Sequence, residues 1–235
     1  PTPIAKLDTA TIVAHYERIV RELPRPPIIM GHSFGGAFVQ ILLDRGLGAA
    51  GVAIDSAPVR GVLGLPVSTV RSAWPILKNP RNRARAVELT PTEFRYAFGN
   101  TVDDLESDNA YNRYHVPGAG RVLFEGALAN LNPHSPFRVD FRRDDRAPLL
   151  FIAGGRDHVV PAWVNRSNVD HYAQARALTE YKEFAGRSHL TLGEPGWEIV
   201  ADYAIEWALR RARSAHATAP LALPSTEQPV SRPLI

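Results

Sequence analysis

The chain has 235 residues, of which 45% are hydrophobic and 22% charged, and its formal net charge is +3. This profile is typical of a soluble globular protein with one core and room for a modest insertion. The absence of cysteine excludes disulfides, thiolate metal sites and cysteine nucleophiles. No apolar run is long enough for a membrane-spanning helix and no signal segment stands at the start, so we expect a cytoplasmic protein.

The first 58 residues predict helix, strand, helix and strand in turn. Apolar residues at helical spacing begin after Asp8, which is a candidate N-cap, and continue to about residue 23. A short apolar strand at 28–30 leads into a second helix, for which Gly46 is a suitable C-cap. A buried strand follows at 51–54. The short connections favour parallel pairing of the two strands.

Residues 59–146 have a different pattern, because seven prolines divide them into short pieces. No run within them is typical of a strand, and the pattern predicts helices over 67–77, 91–99, 102–114 and 120–131. The arginine-rich run at 81–85 has no interleaved aromatic residues, so we interpret it as a solvated surface and expect no nucleic-acid partner.

Strands return in the last third of the chain. We predict strands over 149–153 and 179–184, separated by a helix over 162–176 and followed by a helix over 196–211. From residue 214 the composition offers little to bury, which predicts a disordered tail over 214–235. Residues 1–58 and 147–213 are thus expected to form one α/β core.

The segment GHSFGG at 31–36 lies between an apolar strand and a helix and matches the G-x-S-x-G nucleophile elbow. Such a turn strains the backbone of Ser33. We expect that glycine is required at positions 31 and 35, because a Cβ at either place would collide with the neighbouring chain. The hydroxyl of Ser33 would then stand at a helix N-terminus, where the N–H of Phe34 can stabilise an oxyanion.

A serine nucleophile needs a base, and that base needs an acid to orient it. His189 follows the strand at 179–184 and is the candidate base. Asp157 follows the strand at 149–153 and is the favoured acid, because its strand adjoins the one before His189. Asp55 also ends a strand and is the alternative acid. Loops at the carboxyl ends of parallel strands share one rim of the sheet, so Ser33, Asp157 and His189 can converge.

Five further side chains are candidates for lining a substrate site. His32 and His158 adjoin the nucleophile and the acid in sequence, while Trp74, Tyr96 and Phe98 are aromatic residues of the segment 59–146. These aromatic rings suggest an apolar small-molecule substrate, although core packing explains each ring equally well. No histidine pair has metal-ligand spacing with a carboxylate, so we expect no metal and no cofactor.

At these residues the sequence resembles the α/β-hydrolase superfamily, in the branch that carries a helical cap. Residues 31–36, 154–161 and 186–189 are similar to the family's elbow, acid loop and histidine loop, which follow its fifth, seventh and eighth strands. The resemblance implies that 59–146 is the cap and that the protein is a serine hydrolase acting on an ester-like bond through an acyl-enzyme. An acyltransferase or perhydrolase of the same fold, a non-catalytic binding protein and an inactive fragment remain open alternatives.

The resemblance also implies strands that this sequence does not contain. Family members carry four strands and a His-Gly loop with a second oxyanion donor before the first helix, whereas only seven residues precede Asp8 here. We therefore expect a partial α/β-hydrolase fold whose strand at residue 28 is an exposed apolar edge. We also expect the chain alone to be poorly stable, because even intact domains are stable by only about 5–15 kcal/mol.

Overall fold

The computed structural model describes residues 2–64 and 66–218, which form a parallel sheet flanked by helices. In chain order the strands are β1 (Ile28–His32), β2 (Ala50–Ile54), β3 (Ala86–Val87), β4 (Gly118–Ala119), β5 (Leu149–Gly154) and β6 (Thr179–Phe184). The helices are α1 (Thr9–Glu22), α2 (Phe34–Asp44), α3 (Val67–Leu77), α4 (Pro91–Ala97), α5 (Asp104–Tyr114), α6 (Gly120–Ala127), α7 (Ala162–His171) and α8 (Trp197–Thr218).

The main sheet has the strand order β1, β2, β5, β6, and each neighbouring pair is parallel. Side chains alternate along β2 and β5 between two cores, as the two-residue period of a strand requires. Ala53 and Phe151 face the larger core under α2 and α7, while Val52 and Ile152 face the smaller core with Trp207 of α8. The predicted α/β class with a parallel sheet is therefore confirmed.

Strand β1 is the outer strand of this sheet within the described residues and pairs there with β2 alone. Its residues are only partly buried, and the Met30 side chain is 41% exposed. The apolar edge expected from the sequence is present at this position.

A series of buried hydrogen bonds, which we call the buried polar chain, links the end of β2 to α2 and α7. Ser56 donates its N–H to the side chain of Asn165 on α7 over 3.1 Å, and its hydroxyl accepts from Gln40 on α2 over 3.0 Å. Tyr172 donates its hydroxyl to the other end of Gln40 over 3.1 Å. Because these polar groups are buried, each lost partner would leave an unsatisfied group that costs about 1–3 kcal/mol. The chain therefore fixes β2 relative to α2 and α7.

The predicted helices of the first third are present with their predicted ends. Asp8 caps α1 by accepting from the N–H of Thr11 over 2.8 Å, and Gly46 follows α2 with a left-handed φ of 74°. Helix α7 ends at His171 instead of residue 176, and the N–H of Arg176 donates to the side chain of Asp144 over 2.7 Å instead of continuing the helix.

Helix α8 continues to Thr218, past the predicted end at residue 211. Three of the seven added residues are alanine, which favours helix. Residues 214–218 of the predicted tail thus lie in α8, and 219–235 lie outside the described residues. Within the described ranges, no helix combines the length and the apolarity needed to cross a membrane.

The intervening segment (residues 59–146, between β2 and β5) contains α3 to α6, in agreement with the four predicted helices. It also contains the antiparallel pair of β3 and β4, which the sequence analysis missed. A strand of two residues has no alternation that could reveal it in a sequence.

Candidate active site

The turn between β1 and α2 places Ser33 at the N-terminus of α2 with φ 55° and ψ −120°. A positive φ is rare for a residue with a Cβ and persists only where the surroundings hold it. Here the N–H of Ser33 donates to Ile54 over 2.9 Å, and its carbonyl accepts from Ala57 over 2.9 Å. The strained elbow expected from the sequence is present, and β2 holds it in place.

The glycines of the elbow have unequal roles, and the expectation for Gly35 is wrong. A Cβ at Gly31 would lie 2.2 Å from the carbonyl oxygen of Gly35, which no packing adjustment allows. A Cβ at Gly35 would meet nothing within 4 Å. The second close approach is at Gly36, where a Cβ would lie 2.8 Å from the Ser56 hydroxyl. The second glycine of the G-x-S-x-G motif is Gly35, whereas the second crowded glycine is Gly36.

The structure brings Ser33, His189 and Asp157 into one hydrogen-bonded line. The Nε2 atom of His189 lies 3.0 Å from the Ser33 hydroxyl, and its Nδ1 atom lies 2.6 Å from Oδ2 of Asp157. His189 and Asp157 are buried, whereas Ser33 is partly accessible. The three residues follow β1, β6 and β5, so the carboxyl ends of three parallel strands supply them, as expected from the sequence.

The carboxylate of Asp157 is held on both oxygens. While Oδ2 meets His189, Oδ1 accepts the N–H groups of Val159 and Val160 over 2.7 and 2.8 Å. Burial acts to lower the pKa of His189. However, the charge and hydrogen bond of Asp157 raise that pKa above its ordinary value. The pairing thus makes the imidazole of His189 a better proton acceptor than it would be alone.

Helix α2 supplies an N–H group beside the nucleophile. Gly36 and Ala37 donate to the carbonyl of Ser33, but the N–H of Phe34 has no acceptor within the described ranges. It stands in the first turn of a helix, where the dipole favours negative charge. Phe34 therefore has the position that the sequence analysis gave to an oxyanion donor.

Asp55 follows β2 and is fully buried, with a left-handed φ of 44°. Its Oδ1 accepts from the N–H of Gly154 over 2.6 Å, while Oδ2 is buried without a hydrogen-bond partner in the described part of the chain and lies 3.7 Å from Nε2 of His32. Burial, and then the charge of Asp157, raise its pKa to about 8. Asp55 thus holds a proton at neutral pH and makes no hydrogen bond to His189, so the geometry favours Asp157 as the acid.

The side chain of His32 lies against the backbone of His189. Its Nε2 donates to the carbonyl of His189 over 2.9 Å, and the two rings are 4.6 Å apart. Burial and the neighbouring imidazole lower the pKa of His32 well below its usual value, so the ring is neutral. His32 therefore supports the backbone of the base.

The side chains of His32, Asp55 and His189 are also grouped closely enough to be considered as metal ligands. One ligand atom from each lies within 4.8 Å of the other two. Both ring nitrogens of His189 already contact Ser33 and Asp157. A metal ion would have to displace one of those contacts, so the arrangement fits proton transfer better than metal binding.

The other four candidate lining residues differ in whether their rings contact His189. Phe98 packs edge-on against His189 with ring centroids 4.8 Å apart. His158 donates from Nδ1 to the carbonyl of Tyr96 over 2.8 Å, and their rings are 4.7 Å apart. Trp74 is 59% exposed on α3. Of these four residues, Phe98 is the one whose ring contacts the candidate triad, which the ring of His32 also contacts.

The sequence analysis missed a buried carboxylate next to the histidine loop. Glu194 is 5% exposed and accepts from the N–H of Ser188, the residue before His189, over 2.9 Å. It also accepts from the hydroxyl of Thr101 in the intervening segment over 2.8 Å. Glu194 lies in a turn with glycines and proline, where an acidic residue is ordinarily solvated, so no sequence signal distinguishes it.

The model of the alpha/beta hydrolase family matches residues 2–225 of the chain. Among solved structures, the chain is similar to a monoacylglycerol lipase of Paleococcus ferrophilus, at 18% identity and a TM-score of 0.59, over 87% of this chain and 76% of that one. A methylesterase from Arabidopsis matches at 13% identity and a TM-score of 0.59, over 88% and 81% of the two chains. A thermophilic esterase from Thermogutta terrifontis matches at 15% identity and a TM-score of 0.61, over 88% of this chain and 73% of that one. At these identities the structural similarities establish the fold. No curated protein sequence matches the chain.

The glycine contacts predict opposite effects for two alanine substitutions. Gly31→Ala should destabilise the fold by at least about 3 kcal/mol, because overpacking against backbone cannot relax. Gly35→Ala should be neutral or stabilise by up to about 1 kcal/mol, because α2 accepts alanine there without contact. Urea unfolding of both variants measures the difference. Equal midpoints for the two variants would show that Gly31 is not crowded.

The raised pKa of Asp55 predicts how stability depends on pH. The unfolded chain releases this proton near pH 3.8 and the folded chain near 8, so between these values Asp55 destabilises the fold increasingly as pH rises. Asp55→Asn should therefore raise the free energy of unfolding at pH 7 by more than about 1.4 kcal/mol, the equivalent of one pKa unit. At pH 4 the variant and the wild type should nearly coincide.

Denaturant unfolding of wild type and variant at both pH values tests this expectation. Gln174→Asn, a change at an exposed position just after α7, is the control, because it adds and removes no titratable group and should shift stability equally at pH 4 and 7. A wild-type advantage over Asp55→Asn that grows with pH would mean that Asp55 is ionised in the folded protein.

Proposed function

Because the chain belongs to the alpha/beta hydrolase family and is a hydrolase, we propose that it is a serine hydrolase that cleaves an ester-like bond through an acyl-enzyme. The observation that carries this proposal is the line of contacts from Asp157 through His189 to Ser33, with distances of 2.6 and 3.0 Å. We further propose that the intervening segment is the cap and that the substrate is an apolar small molecule.

In acylation, the hydroxyl of Ser33 passes its proton to Nε2 of His189 as its oxygen attacks the ester carbonyl carbon. The carbonyl π electrons move to the oxygen, and the N–H of Phe34 stabilises the resulting oxyanion. Asp157 keeps Nδ1 of His189 protonated and balances the charge of the imidazolium. The tetrahedral species then collapses, its C–O bond to the alcohol breaks, and His189 gives its proton to the leaving oxygen.

In deacylation, water takes the place of the alcohol. His189 removes a proton from water as the water oxygen attacks the acyl carbon, and a second oxyanion forms at the N–H of Phe34. Collapse breaks the bond to Ser33, whose oxygen recovers the proton from His189. The products are a carboxylic acid and an alcohol, and the enzyme is restored.

Two features support an ester of apolar character as the substrate. The ring of Phe98 lies against His189, and Phe34 packs on Phe137 with centroids 5.8 Å apart, so apolar side chains surround the candidate triad. The structural neighbours described above are a lipase, a methylesterase and an esterase, and all three names denote ester cleavage.

The nucleophile can be tested directly. A fluorophosphonate probe should label the protein at Ser33, and Ser33→Ala should abolish both labelling and turnover of p-nitrophenyl butyrate. Ser167→Ala on α7 is the control and should label as the wild type does. Mass spectrometry that places the label on another residue, or turnover that survives in Ser33→Ala, would refute the assignment.

The acid can be tested by comparing two isosteric changes. Asp157→Asn should lower kcat by about 10⁴-fold, because the imidazole of His189 then favours the wrong tautomer. Asp55→Asn should cost less than about tenfold, because the protonated Asp55 already resembles an amide in charge. Steady-state kinetics of both variants decide the matter, and the reverse ranking would identify Asp55 as the acid.

The pH dependence of kcat/KM gives a second measurement on the same variants. In the wild type the activity should rise with pH around a midpoint above 6.5, the ordinary histidine value, because the pKa of His189 is raised. Asp157→Asn should move this midpoint downward. An unmoved midpoint would mean that Asp157 does not interact with the titrating base.

A further inference from the structure

One short stretch of the intervening segment, residues 96–101, makes hydrogen bonds to both loops that carry the candidate triad. On the acid loop, the carbonyl of Tyr96 accepts from His158, and the Asn100 side chain donates to the carbonyl of Arg156 over 2.9 Å. On the histidine loop, the carbonyl of Phe98 accepts from the N–H of Leu190 over 3.2 Å. Asp157 and His189 are therefore each flanked by contacts to this stretch.

Glu194 joins the histidine loop to the stretch 96–101 through its two carboxylate oxygens. Its Oε1 accepts from the N–H and the hydroxyl of Ser188 over 2.9 and 3.3 Å, and its Oε2 accepts from the Thr101 hydroxyl over 2.8 Å. Ser188 and Glu194 flank His189 in the sequence, so the hydrogen bonds between them connect the two ends of the histidine loop.

A carboxylate in this position is costly unless its oxygens are satisfied. Glu194 is 5% exposed, and within the described ranges no lysine or arginine forms an ion pair with its carboxylate. Three neutral donors hold it instead. Breaking a hydrogen bond to a buried charged group costs more than breaking a neutral one, so the loop has a strong preference for this one arrangement.

We propose that Glu194 is a positioning residue that sets the alignment of His189 toward Asp157 and Ser33 and couples that alignment to the stretch 96–101 through Thr101. This inference rests on the proposed function for its kinetic consequence. Its geometric content, the dependence of the His189–Asp157 contact on Glu194 and Thr101, holds for the protein whether or not it turns over an ester.

Four variants separate positioning from simple stabilisation. Glu194→Ala removes all three contacts. Glu194→Gln keeps an acceptor for Ser188 and offers an N–H group to the Thr101 oxygen, so it is the conservative rescue. Thr101→Val removes only the link to the stretch 96–101. Thr90→Val is the matched control, because it removes the N-cap of α4 in the same segment without touching either loop.

The first readout is kinetic, with p-nitrophenyl butyrate as substrate and fluorophosphonate as probe. Glu194→Ala should lower kcat and the labelling rate at least tenfold with KM changed less than twofold, and Thr101→Val should lower kcat by about threefold to tenfold. Glu194→Gln should stay within threefold of the wild type. Thr90→Val should lower Tm while leaving kcat within twofold of the wild type.

The second readout does not need activity. The 2.6 Å contact between His189 and Asp157 should give a far-downfield proton resonance in NMR. We expect this resonance to be present in the wild type, Glu194→Gln and Thr90→Val, and shifted or lost in Glu194→Ala and Thr101→Val. This pattern in a protein that fluorophosphonate does not label would support the positioning role while refuting the proposed function.

Two outcomes would overturn the proposal. In one, Glu194→Ala lowers Tm but leaves the resonance and kcat unchanged, so that Glu194 only stabilises the fold. In the other, Thr101→Val behaves as Thr90→Val does in every measurement, so that the coupling to the stretch 96–101 is absent.

Discussion

The strained turn at Ser33 is the constraint on which the arrangement of the site depends. Holding a residue with a Cβ at a φ of 55° costs about 1–3 kcal/mol, so it must be imposed from outside. The Ile54 carbonyl and the Ala57 N–H on either side of Asp55 do this by binding both backbone groups of Ser33. Ser33 is thus positioned by the end of β2 as much as by its own strand. The buried polar chain from Ser56 in turn fixes that end to α2 and α7.

The same strand end connects Ser33 to Asp157. Asp55 also has a left-handed φ, and its carboxyl accepts the N–H of Gly154 at the end of β5. The Gly154 carbonyl then accepts the N–H of Asp157. The carboxyl groups of Asp55 and Asp157 therefore both lie near the imidazole of His189, and they differ in the hydrogen bonds that they receive. Asp157 receives hydrogen bonds from two N–H groups and from His189, whereas Asp55 receives one and retains a proton. The carboxyl that contacts His189 is therefore the one that receives the larger number of hydrogen bonds.

The sequence was sufficient for the strands of the main sheet, for the helices apart from the ends of α7 and α8, and for the order of the motifs along the chain, because these depend on local patterns. The apolar runs at β1, β2 and β5 and the GHSFGG segment predicted the sheet and the elbow. The features that it missed depend on packing between distant residues. The free space at Gly35, the crowding of Gly36 by Ser56, and the partners of Glu194 at positions 101 and 188 all arise from contacts that no spacing encodes. Likewise, the neutral state of Asp55 follows from its burial, which a strand-ending aspartate in a sequence does not reveal.

The contacts of the intervening segment restrict how far it can move away from the loop that carries Asp157. Besides Asn100, the hydroxyls of Thr69 and Ser72 on α3 donate to the carbonyls of Val159 and His158 in the acid loop, over 2.8 and 3.4 Å. Each such bond stabilises by only about 0.5–1.5 kcal/mol, so together they resist displacement without forbidding it. Displacing the segment would, however, pull on the loops that carry Asp157 and His189. An opened segment and an aligned triad are therefore opposed states. Under the proposed function, a substrate would therefore be selected by side chains fixed at the site, such as Phe98 against His189, and not by a segment that opens during turnover.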